Sequence, residues 1–209
     1  MVAVSTKRKR IRTKFAKHEI PKSLIYEEYD GKPMYYRGYK DVLNQLKTKE
    51  EIMGESDTQA IIIGVLMKYL LKNLDEDAYF VITNEVGFHL KKRSNVSSDI
   101  VIYEKAALQN HAFKDKYFEI PPLAVIEVDI QADTTDFGIS EMDYYGIKTK
   151  KLLDFGVREV IWFFSGTKQQ FVSRAGQDGI ISTWEKNVSL LGEYQFSLEQ
   201  LLQKEGFKL

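Results

Sequence analysis

Three acidic side chains sit among residues that would otherwise bury themselves. Asp99 opens the apolar run Ile100-Val101-Ile102, and Glu127 and Asp129 interrupt a second run from Leu123 to Ile130. Carboxylates are poorly tolerated inside apolar strands, so each run either ends at an exposed strand end or contributes to a cation site. Side chains alternate along a strand, which predicts that Glu127 and Asp129 point to one face. Hard divalent cations take oxygen ligands, and Mg²⁺ uses one or two carboxylates completed by water and substrate phosphate. Asp99 and Glu127 suit that chemistry if their strands are neighbours. Their spacing alone leaves open two solvated strand ends with no ligand.

The surrounding pattern predicts the elements that position these acids. A helix is expected from about Asp57 to Leu74, because Ser56 with Gln59 three residues on matches a capping box and Ile61, Val65, Leu66 and Tyr69 keep helical spacing. Strands follow at Ala78–Thr83 and Glu85–Lys91, with a polar turn over Lys92–Ser98 and a strand at Asp99–Tyr103. Leu123–Ile130 is apolar on both faces, as a central strand should be. A helix from Gly138 to Phe155 stopped by Gly156, a buried strand at Arg158–Phe164, strands at Gln170–Ser173 and Ile180–Glu185, and a last helix capped by Ser197 complete the chain. Near the start, Asp30-Gly31 predicts a hairpin turn between short strands.

Composition narrows the chemistry. With 209 residues, 44% hydrophobic and 29% charged, the chain fits one domain with its own core. The absence of cysteine excludes disulfides, thiolate metal sites and a cysteine nucleophile. The longest apolar run, Ala60–Met67, is too short to span a bilayer, so no membrane role and a reducing cytoplasm are expected. Residues 1–17 read as a basic arm carrying Lys7, Arg8, Lys9, Arg10, Arg12, Lys14 and Lys17, with no acid before Glu19. Setting those 7 aside leaves 23 basic groups against 30 acidic ones, a body of net charge −7. Such an arm can bind polyanions or serve only as a solubilising tail.

Longer stretches carry a resemblance. Ser98-Asp99-Ile100-Val101-Ile102, Pro122-Leu123-Ala124-Val125-Ile126-Glu127-Val128, and Lys148 eight residues ahead of Gly156-Val157-Arg158-Glu159-Val160-Ile161-Trp162 resemble the restriction-endonuclease-like superfamily with its PD-(D/E)xK pattern. More closely, residues 50 to 165 resemble the Uma-two family of endonuclease-like proteins. The resemblance implies an α/β fold, a restriction-endonuclease-like core with a central mixed sheet flanked by helices and extra strands at both ends, formed by residues 18–209. Asp99 matches the metal-ligand aspartate, although Ser98 replaces the usual proline. Glu127 matches the acid of the second half-motif, and Asp129 stands where the motif lysine would be. In the resembling family a lysine on the next helix takes that place, and Lys148 matches it. The implied function is metal-dependent phosphodiester hydrolysis in nucleic acid, DNA first. Asp99, Glu127 and the Val128 carbonyl would hold Mg²⁺ or Mn²⁺, and Lys148 would orient water or stabilise charge on phosphate. Glu85 and Gln59 are secondary candidates beside Asp129. A homodimer is expected, since cutting both strands needs two sites. The competing reading is a binding or structural dimer on the same fold that has lost catalysis.

Overall fold

Ser56 starts the longest helix among the described residues, accepting the Gln59 amide proton on its hydroxyl at 3.1 Å. In this computed structural model, which describes residues 20–130 and 132–209, that helix (α3) spans Asp57–Asn73. It buries Ile62, Ile63, Val65, Leu66 and Leu70 along one stripe. Two short helices, α1 (Tyr39–Leu43) and α2 (Glu50–Met53), precede it. Of the expected domain, residues 18 and 19 fall outside the described residues, as does the whole basic arm.

Among the described residues, eight strands form one mixed sheet in the order β2-β1-β4-β5-β6-β7-β8, with β3 on the other edge of β4. They are β1 (Ile25–Tyr29), β2 (Lys32–Tyr35), β3 (Tyr79–Lys91), β4 (Ser94–Glu104), β5 (Ala124–Val128), β6 (Glu159–Phe164), β7 (Gln169–Arg174) and β8 (Ile180–Thr183). The β1–β2 turn is Asp30-Gly31 with φ of 51° and 83°, the positive pair that a tight hairpin needs. A helix α4 (Lys105–Gln109) follows β4. Helix α5 (Glu141–Phe155) joins β5 to β6, the only parallel pair among the described strands, as a crossover requires. It starts three residues later than expected from Gly138, because Ser140 and Asp143 close a capping box there. Gly156, at φ 116°, ends it.

The two faces of the sheet make two cores. α3 and the last helix, α6 (Leu198–Lys204), pack on Ile100, Ile102, Ile126, Val128, Ile161 and Phe163. α5 lays Tyr144, Tyr145 and Leu152 on Val101, Tyr103, Val125, Val160, Trp162 and Phe164. The Trp162 indole donates to the Thr149 hydroxyl at 2.8 Å, which fixes the rotation of α5 over β6. Extra strands flank the core at both ends, including a hairpin of β9 (Val188–Leu190) and β10 (Tyr194–Phe196) that the sequence pattern did not predict.

The region around Asp99 departs from expectation in two ways. The polar stretch read as a turn from Lys92 is strand from Ser94 onward, because it pairs with Val86–Lys91 of β3. The two strands expected at 78–83 and 85–91 are one strand broken only by a bulge. There Asn84 and Glu85, at φ 83° and 50°, together oppose Asp99, between the pairs Thr83↔Ile100 and Val86↔Ser98. A bulge adds local twist and re-aims side chains.

Candidate functional site

β4 has a gap on one side. Its edge away from β3 pairs with β1 at Asn95↔Glu28 and with β5 from Ile100↔Ile126 onward, but with neither in between. Buried backbone groups must find partners, and here side chains supply them. The Ser97 amide donates to Glu27 Oε1 at 3.3 Å, and the Ser97 carbonyl accepts from Lys148 Nζ at 2.7 Å. On the other side of the gap the Val128 amide donates to Asp99 Oδ2 at 2.7 Å.

Continuing the β4–β5 register one step past Ile100↔Ile126 sets Asp99 across from Glu127. By alternation both share a face with Val101 and Val125, the face that α5 covers. Asp99 is 9% exposed and Glu127 2%. Glu127 Oε1 accepts from the Ser98 hydroxyl at 2.7 Å and from Lys148 Nζ at 3.0 Å. Among the described residues no hydrogen bond reaches Asp99 Oδ1 or Glu127 Oε2.

Lys148 lies on the buried stripe of α5 with Tyr144, Tyr145 and Leu152, and is fully buried. Its ammonium donates to the Ser97 carbonyl at 2.7 Å and forms ion pairs with Glu27 Oε1 at 2.9 Å and Glu127 Oε1 at 3.0 Å. Burial works against the charge, but Glu127 and Glu27 outweigh it and hold the amine well above the ordinary lysine pKa. Lys150 and Lys151 point elsewhere, to Asp154 and Asp30.

Glu27 is the residue that sequence reasoning missed. It is 2% exposed on β1. Besides Lys148 and the Ser97 amide, its carboxylate accepts from the Tyr144 hydroxyl at 2.7 Å and from the Tyr29 hydroxyl. The signal was the pair Glu27-x-Tyr29, which puts the acid on the same face as an aromatic ring that buries itself.

The carboxylates are electrostatically strained. Burial, then the Glu127 charge, push Asp99 well above the usual carboxylate range, only partly offset by the Val128 amide. Burial raises Glu127 as well, against the pull of Lys148 and Ser98. Glu85, in the bulge, is raised by burial and by Glu55. Among the described residues no three His, Asp or Glu side chains come close enough to hold a metal by themselves. The donors at hand are two carboxylates and backbone oxygen, which fits an Mg²⁺ that keeps several waters. Two buried acids that resist sharing ionisation are also what a divalent cation relieves.

The other candidates divide. The strand ends at Val128, and Asp129 at φ 55° turns out of the alternation; its Oδ1 accepts the Ser165 amide proton at 2.8 Å. Gln59 gives its backbone N–H to Ser56, and its buried side chain lines a cleft of about 800 Å³ that also touches Asp129, Tyr145, Arg37 and Lys47. That cleft lies beside the centre, and neither Asp99 nor Glu127 lines it. Its two cations are already paired, Arg37 with Glu141 at 2.5 Å and Lys47 with Asp41 at 3.6 Å. The arm residues Lys7, Arg8, Lys9, Arg10 and Arg12 lie outside the described residues. Among those described, no helix is long and apolar enough to cross a membrane.

Comparison with known proteins gives the geometry a context. Residues 50–208 match the family model described as Uma2, "Putative restriction endonuclease". A similar solved structure is that of a "putative nuclease belonging to DUF820" from Anabaena variabilis ATCC 29413. It has 14% sequence identity and a TM-score of 0.58, covering 85% of this chain and 89% of that one. At that identity the likeness is one of fold. No curated protein matches the chain.

Proposed function

The chain belongs to the Uma2 family, and from that premise we propose that it is a metal-dependent nuclease that hydrolyses phosphodiester bonds in DNA, using Mg²⁺ or Mn²⁺ held by Asp99, Glu127 and the Val128 carbonyl. The observation that carries this reading is the register that sets Asp99 across from Glu127, with one oxygen of each left without a protein partner among the described residues. A divalent cation held by these residues would supply an acidified water and polarisation of the phosphoryl oxygen.

The chain's own groups prepare that step. Asp99 is anchored by the Val128 amide, and Glu127 by Ser98 and Lys148, so both carboxylates are pre-oriented. Lys148 acts as a positioning residue, since its ammonium is already paired with Glu127 and Glu27 and hydrogen-bonded to the Ser97 carbonyl. Glu85 sits in the bulge facing Asp99, at the margin of the centre. Asp129 caps Ser165 and stays out of the coordination.

The basic arm, with Lys7, Arg8, Lys9, Arg10 and Arg12, contacts the DNA backbone and offsets the acidic body. Residues 18–209 act as one domain, working as a homodimer in the cytoplasm so that two centres meet two strands. The alternative, a binding protein that has lost catalysis, draws support from the full engagement of the Lys148 ammonium. Incubation with supercoiled plasmid and with single-stranded DNA, each with Mg²⁺, Mn²⁺ or EDTA, separates the two. Metal-dependent cleavage abolished in Asp99→Ala and Glu127→Ala supports the nuclease. Wild type and both variants behaving alike favours the binder.

A further inference from the structure

The buried charges around Lys148 do not balance. Glu27, Glu127 and Asp99 are 2%, 2% and 9% exposed, against the one fully buried ammonium of Lys148. With all four groups ionised the cluster is two negative charges in excess, in a place where charge is poorly screened. Lys148 is shared almost evenly, at 2.9 Å from Glu27 and 3.0 Å from Glu127. Glu27 is itself held from four sides, by the Tyr29 and Tyr144 hydroxyls, the Ser97 amide and the lysine. It reaches the centre from β1, ahead of the stretch on which family membership rests.

We propose that Glu27 is a positioning residue of the metal centre, whose charge cancels that of Lys148 so that both charges of Asp99 and Glu127 remain for a divalent cation. This rests on the reading of Asp99 and Glu127 as metal ligands. Without Glu27 the ammonium would belong to Glu127 alone. It would then compete with the cation for that carboxylate, and the cluster would carry one excess charge instead of two. The tyrosines keep Glu27 from swinging to the metal itself, and the Ser97 carbonyl keeps the amine seated when Glu127 turns to the cation. The first hairpin thereby becomes part of the centre and not merely an edge of the sheet.

The test is Mn²⁺ binding to the full chain, read by electron paramagnetic resonance of free Mn²⁺ and by calorimetry, with no DNA present. Glu27→Gln is expected to weaken binding by about tenfold or more, the size of a one-charge change over a few ångströms in a partly screened site. The charge-neutral double variant Glu27→Gln/Lys148→Met restores the excess of two, at the loss of one anchor of Glu127, and is expected to bind Mn²⁺ more tightly than Glu27→Gln alone. A role confined to packing would not produce that recovery. If Glu27→Gln binds Mn²⁺ as wild type does, the proposal is overturned while the metal centre stands. If the single variant does not fold, the double variant decides, and a folded double variant that has lost Mn²⁺ binding overturns the proposal. If wild type itself takes up no Mn²⁺, both this inference and the metal-centre reading beneath it are wrong.

Discussion

The backbone amide of Val128 donates to the Asp99 carboxylate at 2.7 Å, so one acid of the centre is hydrogen-bonded to the residue beside the other, Glu127. The contact joins β4 to β5 at the point where their ladder gives out after Ile100↔Ile126. It also explains how two strands with apolar sequences each tolerate a buried acid. Asp99 takes over part of the pairing that the missing strand contacts would have supplied, and the Ser98 hydroxyl donates to the Glu127 carboxylate.

Lys148→Met should lower stability sharply. Removing one partner of a buried ion pair leaves uncompensated charge, at a cost of about 3–5 kcal/mol, and here Glu27 and Glu127 would be left facing one another. Urea unfolding monitored by tryptophan fluorescence measures it. A change within experimental error would mean that the ammonium is not the counter-ion of both acids.

The stability of the metal-free protein should fall as pH rises above the ordinary carboxylate range. Asp99, through burial and the Glu127 charge, and Glu127, through burial, both have raised pKa values. The folded chain therefore retains protons that the unfolded chain releases near pH 4, and unfolding free energy declines with pH until the folded values are passed. Asp99→Asn should flatten that slope. A divalent cation needs both groups ionised, so metal uptake should release protons and tighten as pH rises. Calorimetry in buffers of different ionisation enthalpy counts those protons, and zero release would contradict the assignment.

The bulge facing Asp99 should be intolerant of branched residues. Asn84, at φ 83°, occupies backbone space that asparagine and glycine accept and valine does not. Asn84→Val is expected to lose about 1–3 kcal/mol, whereas Asn84→Gly should be tolerated. Equal stability for the two in urea titrations would show that β3 can run straight past Asp99.

Asp129→Asn tests whether the third acid is a ligand. Asparagine accepts the left-handed backbone and retains an oxygen for the Ser165 amide, so stability should stay within about 0.5 kcal/mol. Mn²⁺ affinity and DNA cleavage should match wild type. A clear loss of Mn²⁺ binding would bring Asp129 into the coordination shell.

Several elements were legible because their information is local. Ser56 with the apolar spacing behind it marked α3, and the unbroken Ala-Val-Ile segment before Glu127 marked β5. The sequence pattern breaks the strand at Asn84 and starts another at Glu85, because residues that suit a bulge also suit a turn. Ser94–Ser98 was read as a turn because it is polar. What makes it strand is pairing with β3, and what satisfies Ser97 and Ser98 comes from Glu27, Lys148 and Glu127, far away in the chain. The part of Lys148 in the centre came from resemblance, though its place on the Tyr144–Leu152 stripe was available from spacing. Glu27 was hidden for a different reason. An acid in a short aromatic strand looks solvated until the helix that supplies its lysine, over a hundred residues later, is packed against it.

Diffraction from a crystal soaked in Mn²⁺, recorded for anomalous scattering, tests the centre most directly. The expected result is one strong peak within roughly 2.1–2.3 Å of an oxygen from Asp99 and of one from Glu127, lost in Asp99→Ala. Saturating Mn²⁺ that leaves the space between these two carboxylates without a peak, or that settles on other residues, would contradict it.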